Sequence, residues 1–228
     1  MEVIPALLIS LGRAGIYTSK DGLEERIRVI MYYQEVTITP FACTNINHLW
    51  TSVFKQVHLA LVTEINKLGN EKGKIGVSFP QYRLKEKEKT LGKKLRVFAE
   101  EKADLESLNL WKWLYRLNDY VTIDDVKKVP SYVTSYAVYR RYREEAVSAM
   151  SIARRFARRH DCSEEEAMKT LHVKNRAKVE LLPYVRLYSE SDNHNVFNLC
   201  IEKIPQKYKN YAGFSGYGLD NVSTVPEF

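Results

Sequence analysis

The chain has 228 residues, 45% hydrophobic and 28% charged, an ordinary globular composition with enough length to bury a core without disulfides or a structural metal. Ten glycines and seven prolines, with apolar residues spread throughout, exclude collagenous and disordered classes, and no apolar run approaches the roughly 18 residues of a membrane span. The net charge of +7 is unevenly placed. Residues 140–159 carry seven arginines against Glu144 and Glu145, and residues 82–96 carry seven cations against Glu86 and Glu88. Outside these two stretches the chain is slightly acidic, so the excess points to a polyanionic partner met at particular places.

Residues 1–30 hold equal numbers of acids and bases and form an extension of no assigned role. Their apolar patch, Ile4 to Leu11, follows Glu2 rather than a basic segment, so no signal peptide is expected. Tyr32 to Ile38 alternates and is β-rich, which predicts a strand ended by Pro40. Ile46, Leu49, Trp50, Val53, Phe54, Val57, Leu61, Ile65 and Leu68 recur at helical spacing. Thr44 or Asn45 can cap that helix and Gly69-Asn70 can stop it. Lys74 to Phe79 is a second strand, and the lysine-rich stretch 82–94 is expected to be a solvated connection. Leu95 to Ala99 is a third strand. A second helix, capped by Asp104, carries Leu105, Leu108, Trp111, Leu114 and Tyr115. Val121 to Val129 is a fourth strand. This βαββαβ order predicts a ferredoxin-like domain over residues 31–130.

Residues 131–228 differ in character. Tyr132 to Tyr139 is aromatic and β-branched. Ala146, Ala149, Met150, Ala153, Phe156 and Ala157 make one helical stripe, with Arg154, Arg155, Arg158 and Arg159 opposite it. Ser163 and Glu166 form a capping box for a further helix. Tyr184 to Ser189 and Val196 to Lys203 are strands, and Gly213 to Gly218 is a glycine-rich loop. The fold class is therefore α+β: a ferredoxin-like domain followed by an α+β domain with an arginine-rich helix and a glycine-rich tail.

The chemistry is narrowed by what is missing. Cys43, Cys162 and Cys200 are odd in number and form no Cys-x-x-Cys pair, which fits a reducing cytoplasm and no zinc knuckle. No His-Glu-x-x-His, Walker loop, dinucleotide fingerprint or Gly-x-Ser-x-Gly elbow occurs, so no metal and no cofactor is expected. His58 sits at the edge of an apolar stripe, where a lone histidine is usually structural. Arg154 and Arg158, like Arg155 and Arg159, repel each other at i, i+4 with no acid at that spacing to neutralise them. Such spacing suits phosphates arriving between guanidinium forks.

Several stretches together resemble the CRISPR-associated repeat-RNA endoribonucleases of the subtype I-F (Csy-type) branch. They are Ile75 to Pro80 (IGVSFP), Val57 to Leu61 (VHLAL), Ala157 to Ala167 (ARRHDCSEEEA), Leu182-Pro183, Gly213 to Leu219 (GFSGYGL) and Val225-Pro226. The resemblance runs from about Met31 onward, in order. It implies a metal-independent enzyme that binds the stem-loop of a CRISPR repeat. Such an enzyme cuts precursor RNA at the 3′ base of the stem and keeps the guide-RNA hairpin within a Cascade complex of other subunits. By position it implies His58, Ser189 (or Ser191 nearby) and Tyr217 as the catalytic residues. It places Phe197 against the nucleotide beside the cut and Arg154, Arg155, Arg158 and Arg159 on the stem. The family's Arg-x-Gln that reads the stem foot corresponds here to Arg141-Tyr-Arg143, with Arg140 allowing a one-residue slip. Arginine suits guanine where glutamine suits adenine. A non-catalytic stem-loop-binding subunit of a guide complex is the alternative.

Overall fold

A computed structural model describes residues 31–41, 44–85, 88–143, 149–171, 182–188 and 195–228. The extension 1–30, Cys43, Ser189 and Ser191 lie outside the described residues. The fold is α+β.

Strand β1 (Tyr32–Ile38) buries Val36 and Ile38 on one side, and alternation sends Tyr33, Glu35 and Thr37 to the other. Helix α1 (Ile46–Leu68) follows the predicted stripe. Asn45 caps it, its side chain accepting from the Asn47 backbone N–H at 2.9 Å, and Gly69 ends it in the left-handed region at φ 64°. Strand β2 (Gly76–Ser78) comes next.

The lysine-rich stretch is not a plain connection. It folds into an antiparallel ribbon of β3 (Arg83–Lys85) and β4 (Glu88–Thr90). Alternation is hard to see there because both faces are solvated. The ribbon's base is fixed by Trp50 Nε1–H donating to the Gly92 carbonyl at 2.8 Å and the Lys93 N–H donating to Gln81 Oε1 at 2.8 Å.

After β5 (Lys94–Ala99) the expected second helix is broken in two, α2 (Lys102–Leu108) and α3 (Leu110–Leu114). Asn109 causes the break, because it sits at φ 45° and its side chain accepts from the Lys112 N–H to start the next turn. Asp104 is not the cap: it lies in the first turn of α2 and pairs with Lys74 at 3.2 Å. The expected fourth strand is also split, into β6 (Val121–Ile123) and β7 (Lys127–Lys128). Val36 faces Ile123 but Tyr33 faces Lys127, so one extra residue bulges out between the two pieces.

The first sheet has the order β2-β5-β1-β6, with β7 also on β1 and every pair antiparallel. That is the ferredoxin-like order, with the first strand central. The second sheet, also antiparallel, has the order β11-β8-β10-β9 and is built from β8 (Tyr136–Tyr142), β9 (Tyr184–Tyr188), β10 (Val196–Gln206) and β11 (Val225–Pro226). Both sheets feed one hydrophobic cluster. Val36, Phe54, Phe79 and Phe98 from the first half join Tyr139, Leu187, Leu199, Phe214 and Val225 from the second. Helix α4 (Ala149–His160) packs on the helix at 164–171 through a smaller cluster of Ala153, Ala157 and Ala167. The predicted capping box is formed: Ser163 Oγ accepts from the Glu166 N–H, and Glu166 Oε2 accepts from the Ser163 N–H, both at 3.2 Å.

The glycine-rich tail covers the free edge of β2. The Phe214 N–H donates to the Gly73 carbonyl at 2.9 Å, the Gly73 N–H returns a bond at 2.7 Å, and the Val77 N–H donates to the Gly218 carbonyl at 2.9 Å. An edge that would otherwise template aggregation is thereby occupied.

Glu35 anchors the polar side of the first sheet. It accepts from Arg96 Nε at 2.6 Å and from Lys94 Nζ. Burial alone would raise this carboxyl, but the hydrogen bonds and charges of Lys94 and Arg96 outweigh it and hold it below its ordinary value. A carboxyl lowered on folding stabilises above its unfolded value and loses that contribution as pH falls through the folded one. The melting temperature should therefore drop as pH falls below about 4.5, and Glu35→Gln should flatten that part of the profile. Thermal melts of both proteins between about pH 3 and 7 check this, and parallel profiles would show that Glu35 carries none of the slope.

Candidate active site between the long helix and the tail

His58 follows Val57 on α1, just beyond the buried stripe, and is half-buried. Its Nδ1 lies 2.7 Å from the Gly216 carbonyl oxygen. A carbonyl can only accept, so Nδ1 carries the hydrogen, and the lone pair of the neutral ring resides on Nε2. The Tyr217 ring stacks on the imidazole with centroids 4.2 Å apart and planes 11° from parallel. The tail approaches this closely because residue 216 is glycine. A Cβ there would stand 2.7 Å from Val62 Cγ2 on the same helix. Gly216 was missing from the expected site because its contribution is a backbone carbonyl. The signal that could have found it is the run of glycines at 213, 216 and 218, which marks a backbone pressed against something.

Arg141 enters from β8. Its guanidinium carbon lies 5.7 Å from the Tyr217 centroid and 5.0 Å from that of Phe197, at the start of β10, within cation–π range of both. Burial first, then the nearby charge of Arg143, pulls the Arg141 guanidinium below its ordinary value. Burial pushes the neighbouring Cys200 thiol up, with Arg141 opposing. Arg140 belongs elsewhere. Its Nε and Nη2 both donate to Glu202 Oε2, at 2.8 and 2.7 Å, and strand alternation puts it on the face opposite Arg141. Arg143 is exposed at the end of the strand.

The structure thus gathers four of the expected residues, His58, Tyr217, Arg141 and Phe197, in one place. Arg154, Arg155, Arg158 and Arg159 are exposed on α4, whose buried side meets the 164–171 helix. No acid stands at i, i+4 to them on α4, but Arg154 meets Glu164 of that neighbouring helix at 3.4 Å. Spacing within α4 could not reveal a partner across the turn. Ser189 and its alternative Ser191 lie outside the described residues. Among the described residues no three His, Cys, Asp or Glu side chains converge as a metal site needs, and no helix is long and apolar enough to cross a membrane.

Residues 33–228 match the family model for the CRISPR-associated protein Cas_Csy4. The chain is 33% identical over 198 residues to the CRISPR-associated endonuclease Cas6/Csy4 of Pseudomonas aeruginosa (strain UCBPP-PA14), covering 86% of this chain and 99% of that relative. A solved structure described as an RAMP protein binding different RNA substrates aligns over 86% of this chain and 99% of its own. It does so at 9% identity and a TM-score of 0.29, too low a likeness to carry an argument. With a family model covering nearly all of the described chain and a full-length relative at this identity, the protein belongs to the Cas_Csy4 family of CRISPR-associated proteins.

Proposed function

We propose that the protein is a metal-independent endoribonuclease that binds the stem-loop of a CRISPR repeat and cuts precursor RNA at the 3′ base of the stem. The observation that carries this reading is the imidazole of His58, held by the Gly216 carbonyl and the Tyr217 ring with its basic lone pair on Nε2.

RNA brings its own nucleophile, the ribose 2′-OH, so the enzyme has little covalent work to do. His58 Nε2 takes the 2′-OH proton. The 2′ oxygen bonds to the adjacent phosphorus in line with the departing 5′ oxygen, and the P–O5′ bond breaks. The products are a 2′,3′-cyclic phosphate and a 5′-OH, the leaving oxygen taking a proton from water and the imidazolium returning its own proton to solvent. A positioned base supplies roughly 10²–10⁴-fold. Tyr217 orients the imidazole, and Ser189, or Ser191 in its place, orients the 2′-OH. Phe197 stacks on the nucleotide beside the cut. Arg141 and Arg143 read the foot of the stem, where an arginine fork fits guanine O6 and N7. Arg154, Arg155, Arg158 and Arg159 hold stem phosphates. The cut hairpin stays bound and joins the protein to a Cascade complex of other subunits. The protein works in the cytoplasm, where Cys162 and Cys200 remain thiols.

A 2′-deoxy substitution immediately upstream of the scissile phosphate should abolish cutting while binding persists. Incubating both RNAs with the protein in EDTA and resolving the products on a denaturing gel checks this. Cutting of the deoxy substrate would remove the 2′-OH from its role, and loss of cutting only when EDTA is added would assign the chemistry to a metal. Binding without cutting of either RNA would favour a non-catalytic stem-loop subunit.

A further inference from the structure

The ribbon β3–β4 has no part in the site above, yet it springs from beside it. Tyr82, the residue before β3, donates its hydroxyl to the Ile201 carbonyl at 3.1 Å. Ile201 lies directly opposite Arg141 in the β8–β10 ladder. Tyr82 also meets Tyr139, two residues before Arg141, edge to face at 6.2 Å. The ribbon is therefore rooted one strand away from the arginine of the candidate site.

Beyond that root it packs on little. Arg83, Leu84, Lys85, Glu88 and Lys89 are all exposed, and Lys93 at its foot is exposed as well. A two-stranded ribbon with both faces in water is marginal by itself. The ties from Trp50 and Gln81 fix only its base. Over residues 83–90 four cations outnumber Glu86 and Glu88, and Glu88 accepts from Arg83 at 3.3 Å. Charged edge strands also deter aggregation, but that purpose needs neither a rigid root nor a place beside Arg141.

We infer that this ribbon is a second RNA-binding arm, and that Lys85, Lys89 and Lys93 contact phosphates of the single-stranded RNA flanking the stem-loop. The inference rests on the endoribonuclease reading. Lysine suits the task, because a flexible point charge follows an irregular single strand where the arginine fork suits a fixed duplex. Stem-loop and flank would be gripped by separate surfaces on either side of the cut.

The test uses the full chain and two RNAs, the repeat stem-loop alone and the same stem-loop with its single-stranded flanks. In the Lys85→Ser, Lys89→Ser, Lys93→Ser variant, the Arg83–Glu88 pair remains to hold the ribbon. Its affinity for the flanked RNA should fall roughly tenfold, and the salt dependence should lose a slope of about 2, three phosphates at about 0.7 each. Affinity for the bare stem-loop should stay within about twofold. A Lys85→Glu, Lys89→Glu variant should weaken flanked-RNA binding further. Equal affinity of variant and parent for the flanked RNA overturns the arm, and so does an equal loss on both RNAs, which would mean only a general field. If the unmodified protein neither binds nor cuts the stem-loop, it is the endoribonuclease reading that fails.

Discussion

Replacing His58 with alanine is expected to slow cleavage of repeat RNA by roughly 10²–10⁴-fold while changing its dissociation constant by no more than about twofold. The asymmetry follows from the geometry. His58 is held from behind, by the Gly216 carbonyl at Nδ1 and by the Tyr217 ring. Those contacts orient the ring and leave Nε2 as its basic atom. The phosphate grip is assigned to α4, so removing the imidazole takes away the proton acceptor and little of the binding. Single-turnover cleavage and filter binding on the same RNA separate the two quantities. Cleavage within tenfold of the parent would exclude His58 as the base. An affinity loss as large as the rate loss would make it a binding residue.

The second large effect concerns stability. Phe214→Ala should destabilise the protein by about 3–5 kcal/mol, the range for emptying a buried aromatic site. Phe214 is only 3% exposed and sits over Gly76 of β2, where a Cβ would come within 2.5 Å of its ring. Ring and notch are complementary, so Gly76→Ala should be costly from the other side, pushing the ring and Val225 off the sheet. Two residues beyond Phe214 the tail delivers Gly216 to His58. Loss of the anchor should therefore lower cleavage at temperatures where most of the protein is still folded. Urea unfolding, paired with cleavage well below the transition, measures both. A cost below about 1 kcal/mol would mean the tail is held by its backbone ladder alone.

Features carried by local pattern were legible in the sequence. The stripe from Ile46 to Leu68 has one periodicity and two good ends, so α1 could be bounded closely. The Ser163–Glu166 box closes within one turn and needs no distant partner. Other features depend on residues far apart or on a single backbone angle. Asn109 breaks a helix that periodicity alone would continue. The bulge between β6 and β7 is visible only against β1. The ribbon hides because its exposed strands have no buried face to alternate with. Tyr217 and Phe197 came from family likeness, and no spacing rule links them to His58. What joins them is the tail's close passage over α1, which depends on a glycine 158 residues from the histidine it serves.

That separation bears on how the protein is made. At ribosomal speeds of about 5–20 residues per second, the wait between synthesis of the histidine and of its carbonyl acceptor is on the order of 10–30 s. Through that interval the nascent polypeptide carries an imidazole with neither its acceptor nor its stacking ring. A chain truncated before the tail would lack them permanently, so the pairing that defines the site also ties its appearance to synthesis of the tail.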